Sequence, residues 1–187
     1  MYLVIKRMLD LCLSVMLLIL LAPLFLIVYA AIRRDGDGAV LFRQERVGRY
    51  GKPFTIYKFR TMSTEAPNVP SAQAGERYLT ATGRILRCTS LDELPQLFNV
   101  LKGDMSFVGP RPVIPCEAEL LSLRHQCGAD RVLPGITGLA QILGRDDVTP
   151  TRKAEYDGEY ARRCSFWLDT RIFLASVSAV LKRDGAH

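Results

Sequence analysis

Asp92 and Glu93 are adjacent carboxylates, and Arg111 follows them held between Pro110 and Pro112. Adjacent acids can divide labour, one serving as nucleophile or base while the other holds a divalent cation, and a hard ion such as Mg²⁺ prefers oxygen ligands. Cations suited to phosphate oxygens stand nearby in the chain: Lys58 and Arg60 within Tyr57-Lys58-Phe59-Arg60-Thr61-Met62, Arg84 and Arg87 just before the acids, and Arg111 itself. A guanidinium fork matches phosphate geometry. Two flanking prolines reduce the entropy lost when Arg111 grips a ligand, although they would also serve simply to break a strand. Taken singly, each arginine reads as solvated surface. His125 and His187 are the only histidines, so a histidine-based triad has little support and any nucleophile would be a carboxylate. Downstream, Pro134-Gly135-Ile136-Thr137-Gly138-Leu139-Ala140-Gln141 leads into Gly144-Arg145-Asp146. This glycine-bearing turn would let a backbone approach a phosphate or a base near Gln141 and Arg145, without the spacing of a P-loop or a dinucleotide fingerprint.

These groups need elements to hold them. Leu91, Leu94, Leu97, Phe98 and Leu101 recur at helical spacing, which predicts a helix over residues 91–101 with both acids in its first turn, away from the apolar stripe. Ser90-x-x-Glu93 is also a capping box, and the helix dipole favours first-turn acids, so a purely structural role competes with the chemical one. The same helix start would offer free amides to an anion. Val40-Leu41-Phe42 and Phe54 to Arg60 read as strands of a hairpin turned by residues 48–53. Further helices are expected over residues 115–126 and over 151–181 with a break near Ser165, and residues 64–75 read as a surface loop. In the last helix Phe166, Trp167, Leu168, Ile172, Phe173, Leu174, Val177, Val180 and Leu181 make an apolar face beside Arg171, Lys182 and Arg183. That face suits either a protein core or a headgroup layer.

The first part of the chain is of another kind. Leu11 to Ile32 is a run of 22 uncharged residues, about 33 Å as a straight helix, close to the thickness of a bilayer core. It is too long for the apolar part of a signal peptide, and no clean cleavage site precedes Arg33 and Arg34. Lys6 and Arg7 flank its start and Arg33 and Arg34 its end, so the positive-inside rule puts both ends on the cytoplasmic face. Pro23 sits in the middle and is expected to bend the helix into two short arms. A re-entrant hairpin and a kinked spanning helix both fit these residues. The organisation expected is an anchor over residues 1–34, with Ala22 and Pro23 at the bend, followed by a catalytic domain over residues 35–187. Its fold class is α+β, mostly helical, with a small β-hairpin and amphipathic surface helices.

Taken in order, the apolar segment with its central proline, Lys58-Phe59-Arg60-Thr61-Met62, Ser90-Leu91-Asp92-Glu93-Leu94-Pro95-Gln96, Lys102-Gly103-Asp104-Met105-Ser106, Gly109-Pro110-Arg111-Pro112 and Pro134-Gly135-Ile136-Thr137-Gly138 resemble the bacterial sugar transferases known as small monotopic phosphoglycosyl transferases. The resemblance covers nearly the whole chain. It implies an enzyme of the bacterial cytoplasmic membrane, with a re-entrant helix and a cytoplasm-facing catalytic domain. Such an enzyme moves a sugar 1-phosphate from a UDP-sugar to polyprenol phosphate, releases UMP, uses Mg²⁺, and starts a capsule, exopolysaccharide, O-antigen or glycoprotein glycan that downstream glycosyltransferases extend. Carried onto this sequence, Asp92 would attack the β-phosphorus to form a phosphoglycosyl-aspartate, and Glu93 would bind metal or assist the acceptor. Lys58, Arg60, Arg87, Arg111, Arg145 and Gln141 would bind phosphate or nucleotide. The family often has Ser before the proline of the bend, whereas Ala22 stands here.

Composition leaves fewer alternatives. The chain has 187 residues and a formal net charge of +6, enough for one modest domain and compatible with phosphate, anionic lipid or nucleic acid as partner. Its five scattered cysteines include no CxxC pair, which argues against zinc and for a reducing compartment. A nucleic-acid binder should carry a basic stripe with stacking aromatics, whereas acids are interspersed among the bases throughout. A membrane-tethered scaffold for anionic lipid, with the acids as caps, is the remaining non-enzymatic alternative. The sugar, the glycan and the oligomeric state are not legible in the sequence.

Overall fold

The computed structural model describes residues 2–36, 38–63, 78–144 and 148–182. Arg145 and the expected loop over 64–75 lie outside the described residues. Two helices open the chain, α1 over Tyr2–Leu20 and α2 over Ala22–Arg34, bent by 62° at Leu21. Pro23 stands in the first turn of α2, where a missing N–H costs nothing. The break therefore falls just ahead of the proline, and α1 begins well before the uncharged run. No single described helix is long and apolar enough to cross a membrane, but the bent pair passes that test together.

The expected hairpin forms from β1 (Leu41–Val47) and β2 (Pro53–Phe59), antiparallel with Leu41 opposite Phe59 and Val47 opposite Pro53. Its turn places Tyr50 and Gly51 at φ of 56° and 73°. Then follow α3 (Ala81–Cys88), a 3₁₀ turn over Leu91–Glu93, and α4 (Gln96–Lys102). The expected single helix over 91–101 is thus interrupted. Pro95 has no N–H to continue the ladder, and Ser90 lies in the left-handed region at φ 55° with no capping bond from its side chain. The capping box does not form, and the acids sit on a tight turn rather than at a helix start.

A second pair of strands was not anticipated: β3 (Ser106–Val108) runs parallel to β4 (Gly135–Thr137), with Ser106 opposite Gly135 and Val108 opposite Thr137. At three residues each, they are too short to show a period. Between them lies α5 (Ala118–Cys127), and after them α6 (Leu139–Gly144), α7 (Pro150–Arg163) and α8 (Phe166–Lys182). The expected break near Ser165 separates α7 from α8, and the fold is α+β and mostly helical.

The central core gathers Ile56, Leu97, Val100, Met105, Phe107 and Ile172, against which Leu13, Leu17 and Leu18 of α1 also pack. Polar groups fix α1 there: Arg7 donates to the carbonyls of Val100 (2.7 Å) and Leu101 (3.1 Å), and Lys6 pairs with Asp169 of α8 at 2.5 Å. The hydroxyl of Tyr2 also bonds Asp169. The far end of α2 returns to the same body, with Val28 and Ile32 packed on Phe59 and Leu86. The outer faces stay apolar and exposed, including Leu3, Val4, Met8, Val15 and Ile19 on α1, Leu26 and Ile27 on α2, and Phe166, Trp167, Leu174 and Val177 on α8. Helix α8 therefore has two apolar faces, since Ile172 is fully buried and Phe173 meets Phe107 edge-on at 6.2 Å.

Candidate active site

Strand β2, the Leu91–Glu93 turn and the segment after β3 bring Lys58, both acids and Arg111 together. Asn99, fully buried on α4, holds the turn's neighbour to the strand: it donates to Thr55 O (2.7 Å) and accepts from Tyr57 N (3.0 Å). It pairs with β2 as a further strand would, leaving Lys58 facing the acids. On the other side, Gly83 of α3 lies so close to Thr61 that a Cβ would fall 1.9 Å from its carbonyl oxygen. Thr61 in turn accepts from Arg87 Nε at 3.1 Å.

Arg111 is set by its backbone. Arg124 donates to its carbonyl at 2.9 Å while pairing at 2.6 Å with Asp157, a buried ion pair. The glycines expected to approach a phosphate approach Gly109, just after β3, instead. A Cβ on Gly135 would lie 2.1 Å from Gly109 N, and one on Gly138 would lie 2.2 Å from Gly109 O. They admit the backbone of Gly109 and Pro110, the residues just before Arg111, which bond Thr137 O and Gly135 N of β4.

The two acids are treated unequally. Glu93 Oε1 receives Lys58 Nζ at 2.7 Å and Arg111 Nη2 at 2.9 Å, whereas Asp92 Oδ2 is 3.9 Å from Lys58 Nζ. Burial opposes charge on Glu93, but Arg111 and Lys58 together outweigh it and bring its pKa from 4.5 to about 2. Asp92, only 9% exposed, moves the other way. Burial raises its pKa above 3.8, and the neighbouring Glu93 charge adds to the rise against the pull of Lys58, Arg111 and Arg87. The site thus holds one carboxylate kept ionised by two cations beside one that is desolvated and incompletely paired.

Of the other expected site residues, Arg87 bonds Thr61 and adds the smallest of the named downward pulls on the Asp92 pKa. Arg60 points elsewhere, donating to Ile32 O (3.2 Å) and Gly36 O (2.9 Å) at the end of α2. Gln141 donates to Ile136 O at 3.3 Å within its own turn. Among the described residues no three His, Cys, Asp or Glu side chains converge as a metal site. Asp92 and Glu93 are the oxygen donors that would hold a divalent ion, its remaining ligands coming from water or phosphate, and two carboxylates are a donor set that suits Mg²⁺. Asn99 and Arg124 escaped the sequence reading. The one hint was a polar residue interrupting the apolar run of Leu97, Phe98 and Val100.

The family profile for bacterial sugar transferases matches residues 1–183. The chain is 41% identical over 202 residues to the undecaprenyl-phosphate galactose phosphotransferase of Salmonella typhimurium, covering 97% of this chain and 41% of that protein. It is 43% identical over 191 residues to the UDP-glucose:undecaprenyl-phosphate glucose-1-phosphate transferase of Caulobacter vibrioides, covering 97% of this chain and 72% of that one. Against the uncharacterized sugar transferase EpsL of Bacillus subtilis the identity is 43% over 186 residues, covering 97% and 90% respectively. The chain thus spans well under half of the Salmonella protein and most of the Bacillus one.

Proposed function

This chain belongs to the bacterial sugar transferase family, and on that premise we propose that it transfers a sugar 1-phosphate from a UDP-sugar to polyprenol phosphate. The names of its relatives support that donor and acceptor. The observation that carries the mechanism is the unequal pairing of the two carboxylates. A nucleophile is better loosely paired, and Asp92 stands 3.9 Å from Lys58 while one oxygen of Glu93 takes bonds from two cations.

Asp92 attacks the β-phosphorus of the donor, the bond to the bridging oxygen breaks, and UMP leaves with that electron pair. The sugar phosphate is then held on Asp92 as an acyl phosphate. An oxygen of the polyprenol phosphate attacks the same phosphorus, Asp92 departs as carboxylate, and polyprenyl-diphosphate-sugar is formed. A covalent intermediate lets one site serve a soluble donor and a membrane acceptor in turn. Glu93 fixes Lys58 and Arg111 beside the phosphorus, where with Arg87 they stabilise charge as it develops. When bound, Mg²⁺ would neutralise phosphate charge between donor and carboxylates.

The anchor reading belongs here too. Both ends of the bent pair pack on one body, through Lys6 and Arg7 at the start and Ile32 at the end. A segment so tied does not put its ends on opposite sides of a bilayer, which supports a re-entrant hairpin with the site at the cytoplasmic face.

The test is to mix the purified protein with Mg²⁺, polyprenol phosphate and a panel of UDP-sugars and to follow UMP. Release should be abolished in Asp92→Asn, and a donor labelled in its β-phosphate should label wild-type protein, without acceptor, but not that variant. Undiminished turnover by Asp92→Asn would remove it as nucleophile. No release with any sugar would favour a lipid-binding scaffold.

A further inference from the structure

Beside the carboxylate pair lies a cavity of about 20 Å³ lined by Arg46, Ile56, Lys58, Gln96, Arg111 and Pro112. That is room for about one water-sized atom. Two of its lining residues carry buried nitrogens with no hydrogen-bond partner, Nε of Arg46 and Nε2 of Gln96, and Gln96 is only 2% exposed. The rest of the Arg46 head is occupied, with Nη2 on Gln44 Oε1 at 2.6 Å and Nη1 near Pro112 O at 3.5 Å. An orphaned buried donor is costly, and two such donors on residues that line one small void call for an acceptor there.

The charge around the void says which kind. Among the described residues the ionised groups that line it are all cations, and the nearby Glu93 oxygen is already shared by Lys58 and Arg111. Burial and the neighbouring Arg111 depress the pKa of Arg46, the mark of a guanidinium short of negative charge. An oxygen that brings lone pairs and negative charge suits such a lining better than a water, which must also place two hydrogens.

We propose that this niche receives one terminal oxygen of a substrate phosphate, with Arg46 Nε and Gln96 Nε2 as its donors. The identity of the phosphate rests on the transfer reaction proposed above. Donor diphosphate and acceptor phosphate offer the same oxygen chemistry. The niche makes Arg46 and Gln96 binding residues that register the phosphate against the Lys58–Glu93–Arg111 group.

Gln96→Glu keeps the side-chain shape and gives Arg46 a carboxylate, so it should fold with an unchanged or higher melting temperature while closing the niche to anions. Arg46→Lys keeps the charge and deletes the Nε donor, which gives a second reading if the first variant misfolds. With full-length protein in nanodiscs, calorimetric titration with UDP and the KM for polyprenol phosphate are the two measurements. A tenfold to hundredfold loss of UDP affinity, the range for losing bonds to a charged group, assigns the niche to the donor. Unchanged UDP affinity with a similar rise in that KM assigns it to the acceptor. Wild-type values on both measurements for both variants would mean that the void holds only water, and would overturn the proposal. Should wild-type protein bind UDP yet release no UMP from any UDP-sugar, the transfer reading fails while the UDP titration still tests the niche.

Discussion

Lys58 stands between two acids and answers to both, at 2.7 Å from Glu93 and 3.9 Å from Asp92. Replacing it with Met removes the strongest pull lowering the Asp92 pKa. The acid limb of the pH–rate profile should therefore move to higher pH than in wild type, along with a drop in kcat of about tenfold or more. Glu93 makes a prediction about stability. Its folded pKa is depressed from 4.5 to about 2, so its contribution is complete above pH 4.5 and is lost as the pH falls toward 2. On the order of 3 kcal/mol is at stake. Asp92 has the opposite sign, because its raised pKa penalises the fold as pH rises through 3.8. Denaturant midpoints of wild type and Glu93→Gln across this range should converge at the acid end and separate above pH 4.5. The acids were legible as a pair from type and spacing alone. Their difference was not, because it comes from a strand and a proline segment far away in sequence.

Elements bring those distant pieces together through close approaches that the sequence marks only in part. Gly135 and Gly138 stood out as places needing a bare backbone, and they are such places. What approaches them is Gly109 rather than a ligand, and a local pattern records the need for closeness without naming the partner. Gly135→Ala should cost about 1–3 kcal/mol by overpacking, and because the displaced segment carries Arg111, activity should fall further than stability accounts for. Melting curves alongside UMP release at a temperature where the variant is fully folded would separate the two effects. Asn99→Ala should leave Thr55 O and Tyr57 N without their side-chain partner at about 1–3 kcal/mol, read by a lowered melting temperature. The hairpin and the α7–α8 break were legible because period and turn residues are local. The helix expected over 91–101 was misread because Pro95 ends an apolar period that otherwise continues through it.

Over the whole molecule, the exposed apolar faces of α1, α2 and α8 carry a membrane prediction. Trp167, 79% exposed at the start of α8, should shift its emission to shorter wavelength and be quenched by bromine-labelled acyl chains when anionic vesicles are added. Reagents reaching only the periplasm should leave a cysteine at the N-terminus unlabelled, and labelling there would end the re-entrant reading. The anchor was visible as an uncharged run, but its attachment was not, since Arg7 and Lys6 read as flanking charges rather than as bonds to α4 and α8. Those bonds have a mechanical meaning. Arg7 grips the carbonyls of Val100 and Leu101 near the end of the helix that begins three residues after Glu93, so a tilt of α1 would pull on α4. A bilayer too thick or too thin for the anchor would push on α4 as a lever, and vesicles of graded acyl-chain length should tune turnover while leaving UDP affinity in detergent untouched.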